Sequence, residues 1–316
     1  MSPGSRNEID LEIARLRRRK PTLVLRSGIL REFRACLMEK GYIEVETPQI
    51  VPQPAPERHI DPIHVENSYL HTSPEICMKR LFAAGYHQIF QICKCFRKSE
   101  RGRRHLPEFT MLEWYRAGID YKGLMEDCET LISEVVRRLR SDYRITYRDE
   151  EIDFSPPWQR MSVKEAFERY GGVNLEEVRA EGLFEEVLVR RVEPRLGLGR
   201  PTFLYDFPAP MAAMAKRKKD APMIEERFEV YVAGMELANG FTELNDKEEQ
   251  RRRLEDEMRV RREAGRSTFA MPERFLQAVG HMPDGAGIAV GIDRFVMVLA
   301  GKEDIKDVVT FTPEEL

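Results

Sequence analysis

A chain of 316 residues with 42% apolar content and a formal net charge of −3 can bury a full core, as one large domain or two small ones. Five irregularly spaced cysteines exclude a disulfide framework, and no N-terminal apolar stretch or long apolar span points to export or membrane insertion, so a reducing cytoplasm is the expected setting. Basic clusters at Arg15, Arg17 to Lys20, Arg101 to Arg104, Lys216 to Lys219 and Arg251 to Arg253 read as solvated faces before they read as a nucleic-acid patch.

Residues 1–20 are polar and highly charged and read as an arm ahead of one domain over 21–316. Pro21 precedes a helical pattern with Ile29, Phe33 and Leu37 on one face, ended by Gly41. Ile43 and Val45 then alternate with Glu44 and Glu46, a strand closed by Thr47-Pro48. Residues 51–62 are proline-rich and predict a loop, and Leu81 to Phe96 predicts a buried strand after a short helix. Cys93 and Cys95 lie two apart in that strand; only Cys77 and His87 are near them in sequence, so packing is favoured over zinc. Leu124, Cys128, Leu131, Val135 and Leu139 mark an amphipathic helix over Lys122 to Arg140.

Residues 145–219 read as an insertion of helices and turns, with a capping box at Ser162 and Glu165 and its strand at Thr202 to Phe207. Arg227 to Glu243 reads as a hairpin turning at Ala233-Gly234, which makes Glu229 and Glu236 cross-strand neighbours about 5–8 Å apart, close enough to want a cation. Glu236 has opposite parity to Asn239, Phe241 and Glu243, so a bulge is expected near Ala238-Asn239-Gly240 to bring them to one face. Asp246 to Gly265 is a charged helix, and Gly287 to Ala300 a strand running into a hydrophobic helix.

Phe96-Arg97-Lys98-Ser99-Glu100, the block from His105 to Tyr115, and Gly291-Ile292-Asp293-Arg294 together resemble the nucleotide site of class II aminoacyl-tRNA synthetases. The resemblance implies an α+β fold, an antiparallel sheet flanked by helices, with ATP and Mg²⁺ as cofactors. The helix, strand and Pro48 resemble motif 1, the family's dimer element, and imply a homodimer. Arg97 and Arg294 are suited to phosphate because guanidinium offers a rigid bidentate fork. Glu229 and Glu236 suit Mg²⁺ on a triphosphate. Phe109 is placed to stack on adenine beside His105, Gly287, Gly291 and the small residues between them let backbone approach the nucleotide, and Leu237 is a further candidate nucleotide contact.

Thr72-Ser73-Pro74-Glu75, Met78-Lys79-Arg80-Leu81, the Glu108 to Tyr115 block and Glu236 to Leu244 resemble lysyl-tRNA synthetase more specifically. That resemblance implies a lysine-type substrate with Glu75 on its amino group, Asn239 on its carboxylate, and Glu243, Tyr115 and Glu113 around the side-chain ammonium; Ser73 and Phe241 fall in the same motifs. A buried ammonium must meet fixed carboxylates. Motif 1 begins too early here for the anticodon-binding barrel of those enzymes, roughly ~100 residues or more for an independent module. From about Leu23 onward the chain is similar to the truncated paralogues that attach a lysine-type residue to elongation factor P, and Ala289, where true synthetases have glycine, favours (R)-β-lysine over α-lysine. The implied partner is elongation factor P rather than tRNA, with a stand-alone tRNA-charging core and a non-catalytic ligand-binding paralogue as the alternatives. Two positions depart from the family pattern: Lys98-Ser99 replaces Asn-Glu and Leu106 replaces Asn, so either Glu100 reaches the base or Ser99 makes a weaker contact.

Overall fold

The computed structural model describes residues 3–316, with side chains from residue 9. Helix α1 spans Pro3–Glu39 and β1 is Ile43–Glu44. Helix α2, Glu75–Ala83, leads to β2, Gln88–Phe96, and β3, Glu108–Ala117. Helix α3, Tyr121–Arg140, is followed by β4, Gln159–Ser162, β5, Thr202–Pro208, β6, Ile224–Val232, and β7, Met235–Thr242. Helix α4, Lys247–Glu263, β8, Gly285–Gly291, and α5, Ile292–Ala300, complete the main elements.

The eight strands form one sheet in the order β1-β2-β3-β8-β7-β6-β5-β4, antiparallel from β2 to β5 with a parallel strand at each edge. Helices α1, α3 and α5 cover one face through Ile29, Phe33, Leu124, Leu131, Phe295 and Val298, all at most 1% exposed. Their apolar stripes recur at helical spacing, and the sheet offers a surface wide enough to bury all three. On the opposite face a smaller core around Phe82, Ile89 and Leu254 packs α2 and α4 over part of the sheet, and the remainder is left for chemistry.

Helix α1 runs through Pro21, past the expected boundary at residue 20, without a break. Partners far along the chain explain it. Arg19 is 4% exposed, donating to Thr310 O at 3.0 Å and to Glu315 at 2.6 Å, and Arg26 donates to Asp293 at 2.5 Å. These fixed acceptors offset the backbone hydrogen bond that proline removes. Within the predicted insertion over 145–219, β4 and β5 hydrogen-bond into the main sheet, and the helices between them form a core around Phe167, Phe184 and Val192. The Ser162/Glu165 capping box is present as expected.

Candidate active site

Strand register assembles the open face. Arg227, Phe241, Gly287, Tyr115 and Ile89 form one row across β6, β7, β8, β3 and β2, and Glu229, Asn239, Ala289, Glu113 and Gln91 form the next. Residues directly paired across strands share a face, so motifs far apart in sequence converge. The expected bulge exists but lies one residue earlier: Val230 faces Ala238 and Tyr231 faces Glu236, which leaves Leu237 as the extra residue. One inserted residue reverses the parity, and Glu236 thereby joins the face that carries Asn239.

Two adjoining chambers, one larger than the other, occupy this face. Both are lined by Arg97, Asn239, Ala289, Met111 and Glu57, which form their common wall. The larger chamber gathers Glu100, His105, Phe109, Glu236, Leu237, Gly291 and Arg294. Arg294 Nη1 donates to Glu236 O at 2.8 Å and lies 3.3 Å from its carboxylate, while Nη2 contacts His105 Nε2. Burial and then the Arg294 charge hold the His105 imidazole below its ordinary pKa, so it accepts from the guanidinium as the neutral ring. Arg97 sits over the Phe109 ring at 5.1 Å and lies 3.7 Å from Glu100. Ser99 is exposed, with φ of +68°, and does not line the chamber; the turn it makes leaves Glu100 facing in. Leu106 is 9% exposed and lines the same chamber.

Glu229, expected beside Glu236 at a cation, does not line the larger chamber. It is 6% exposed, bound by Arg227 at 2.5 Å and by Tyr231 OH at 2.7 Å. Burial pushes its carboxyl up to about 7, with the Glu236 charge adding to the rise and Arg227 opposing it. Neighbouring carboxylates at the edge of a cleft fit a divalent cation, and Arg227 answers part of that charge in this state.

The smaller chamber is lined by Ser73, Glu75, Glu113, Tyr115, Phe241 and Gly287 beside the common wall. Ser73 Oγ donates to Glu113 at 2.5 Å and Tyr115 OH donates to its other oxygen at 3.0 Å. Asn239 Oδ1 accepts from Arg227 at 3.1 Å, which leaves the amide donor for a ligand. Gly287 is required here, because a Cβ would lie 2.4 Å from the Tyr115 ring and 2.7 Å from Glu243 Oε1. Glu243 is fully buried behind that glycine and touches Lys79 Nζ at 2.6 Å, the same ammonium that donates to Glu75 at 2.6 Å.

Sequence reasoning missed Glu57, Arg104 and the Lys79 pairing. Glu57 comes from the proline-rich segment and faces both chambers, where burial pushes it up to about 7. Arg104 belongs to a basic run that reads as solvated surface, and it lines the larger chamber instead. Neither segment carries a periodic pattern that could have shown its direction. Asp293 of the Gly-Ile-Asp-Arg run accepts from Thr110 N at 2.8 Å and from Arg26, tying β3 and α1 to the start of α5 and so placing Arg294.

The charge of the smaller chamber has a measurable consequence. Burial, with the Glu75 charge adding to it, pushes Glu113 up to about 8. The folded state then holds a proton that the unfolded chain releases, so this contribution to stability is fully present below about 4.5 and is lost as pH rises to about 8. The melting temperature of the ligand-free protein should fall between about pH 5 and pH 8 more steeply than that of Glu113→Gln. Parallel slopes in differential scanning calorimetry would remove Glu113 as the source.

The whole-chain comparison settles the family. A model of class II tRNA synthetases of the D, K and N type matches residues 7–315. The chain belongs to the class II tRNA synthetase family. It is 35% identical over 320 residues to a lysine--tRNA ligase of Dehalococcoides mccartyi, covering 92% of this chain but only 64% of that enzyme. It is 36% identical over 309 residues to an elongation factor P--(R)-beta-lysine ligase of Salmonella gallinarum, covering 92% of this chain and 95% of that protein, and 37% identical to the Salmonella dublin protein of the same name. This class II synthetase chain has the fold expected from its motifs, and among its described residues no helix is long and apolar enough to cross a membrane.

Proposed function

We propose that the chain is an ATP-dependent ligase that activates a lysine-type amino acid, with (R)-β-lysine as its preferred substrate, and transfers it to a lysine side chain of elongation factor P. The observation that carries this reading is the wall shared by an arginine-bearing chamber and a carboxylate-lined one. A carboxylate oxygen of the amino acid attacks the α-phosphorus of ATP and pyrophosphate leaves. The acceptor amine then attacks the acyl carbon of the adenylate, AMP departs with the bonding electrons, and the amine loses a proton. Arg97, on the wall, meets the α-phosphate and the attacking carboxylate together, Arg294 meets the leaving phosphates, and Phe109 and His105 flank the base. Asn239 donates to the substrate carboxylate, while Glu75, Glu113, Tyr115 and Glu243 surround its amines. Glu236, with Glu229 behind it, would hold Mg²⁺, which supplies charge neutralisation on the triphosphate when bound.

Several features support the setting. Ile43 and Ile50 are each 54% exposed around the motif 1 strand, as a homodimer contact would require, and the five cysteines are free, as in a reducing cytoplasm. The test is amino-acid-dependent ATP–pyrophosphate exchange with α-lysine and (R)-β-lysine, followed by labelled transfer to elongation factor P or tRNA. Exchange is expected to favour (R)-β-lysine, with label passing to the protein acceptor. Exchange with neither lysine would end the reading. The similarity to a lysine--tRNA ligase keeps tRNA charging as the second reading, which efficient label transfer to tRNA would favour.

A further inference from the structure

Cys93 and Cys95 share one face of β2, and His71 reaches them from the segment preceding Ser73. One ring nitrogen of His71 and both sulfurs lie within 4.8 Å of one another. The two Sγ atoms are 3.9 Å apart, close to the roughly 3.8 Å edge of a tetrahedron built on metal–sulfur bonds of about 2.3 Å. His71 is 2% exposed, and its Nε2 donates to Lys94 O at 2.6 Å. A carbonyl cannot donate, so the neutral ring carries its lone pair on Nδ1, the tautomer in which a ligating imidazole is oriented by a carbonyl on its other nitrogen. Met111 lies directly across from Cys93, with its Sδ 4.0 Å from Cys95 Sγ, where it or a water can complete four-coordination.

We propose that His71, Cys93 and Cys95 bind one thiophilic d¹⁰ cation, Zn²⁺ or Cu⁺, beside the substrate cleft. Two sulfurs and an imidazole reject Mg²⁺ and Ca²⁺, which take oxygen ligands. Binding requires both sulfurs as thiolates and releases to solvent the protons they still carry. The ion would brace two substrate-bearing segments. His71 leads into Ser73 and Glu75, Cys95 precedes Arg97 by two residues, and the segments already meet through Phe96 N donating to His71 O at 3.0 Å. Met111 connects the site to both chambers.

Full-length protein, reduced and metal-free under anaerobic conditions, is titrated with Co²⁺ as the probe for Zn²⁺ and, separately, with chelator-buffered Cu⁺. One equivalent of Co²⁺ should give thiolate-to-metal charge-transfer absorption, displaced by Zn²⁺ and lost in the Cys93→Ser/Cys95→Ser variant. Tighter Cu⁺ binding that Met111→Leu weakens about tenfold or more would assign Cu⁺ with the thioether as fourth ligand; unchanged affinity in that variant with tight Zn²⁺ would assign Zn²⁺ with water. Wild-type protein that gives no charge-transfer band and retains neither metal after gel filtration overturns the proposal, as does a band undiminished in the double serine variant. The wild-type measurement stands whether or not the variants fold, and it is independent of pyrophosphate exchange.

Discussion

Arg294→Ala should lower pyrophosphate exchange by about 10²–10³-fold while leaving the protein folded. The side chain is only 22% exposed and is held at the mouth of the larger chamber by Glu236 O, the Glu236 carboxylate and His105, so its fork is already oriented when phosphate arrives. A preorganised donor in a partly dry site is worth far more at the transition state than a mobile surface charge. Arg294→Lys keeps the charge without the fork and should recover only part of the loss. Arg103→Ala is the control, because Arg103 is 71% exposed and pairs with Glu303 at 3.6 Å. Exchange by Arg294→Ala within about threefold of wild type, measured at saturating ATP, would refute the assignment.

Glu243→Ala should abolish lysine-dependent exchange and cost stability as well, roughly 3–5 kcal/mol, because it strands the buried Lys79 ammonium. Loss of activity in that variant alone would not separate substrate binding from unfolding. Lys79→Met combined with Glu243→Leu removes that pair together, which is often near neutral in stability, and Lys79→Met alone controls for the loss of the Glu75 contact. If Glu243 also meets the substrate ammonium, the double variant remains folded by urea denaturation and still lacks exchange with both lysines. A folded double variant with wild-type exchange would leave Glu243 as the partner of Lys79 only.

Lys79 shows why part of the site is illegible in the sequence. Its place in the Met78-Lys79-Arg80-Leu81 motif is plain, yet nothing local reveals that its ammonium crosses to the hairpin strand β7 and its end at Glu243. Glu57 and Arg104 are hidden for a related reason: they lie in segments without a two- or 3.6-residue period, so their direction depends on what packs over them. The charged N-terminal stretch reads as an arm because the partners of Arg19 and Arg26, Glu315 and Asp293, lie 296 and 267 residues away.

Residues on regular strands behave differently. Alternation alone places Glu113 with Tyr115, and Asn239 with Phe241, on one face, and the parity conflict at Glu236 requires a bulge somewhere in the hairpin. The position of that bulge at Leu237 comes only from pairing with β6, since the choice depends on cross-strand register. Local pattern thus determined the elements, the family motifs and most of the chemistry-bearing side chains. Tertiary structure alone decided which of them share a chamber, that Ser99 turns away while Glu100 faces in, and that His71 meets Cys93 and Cys95. Periodicity is a property of neighbours along the chain, whereas a site is made by contacts whose partners the chain does not place side by side.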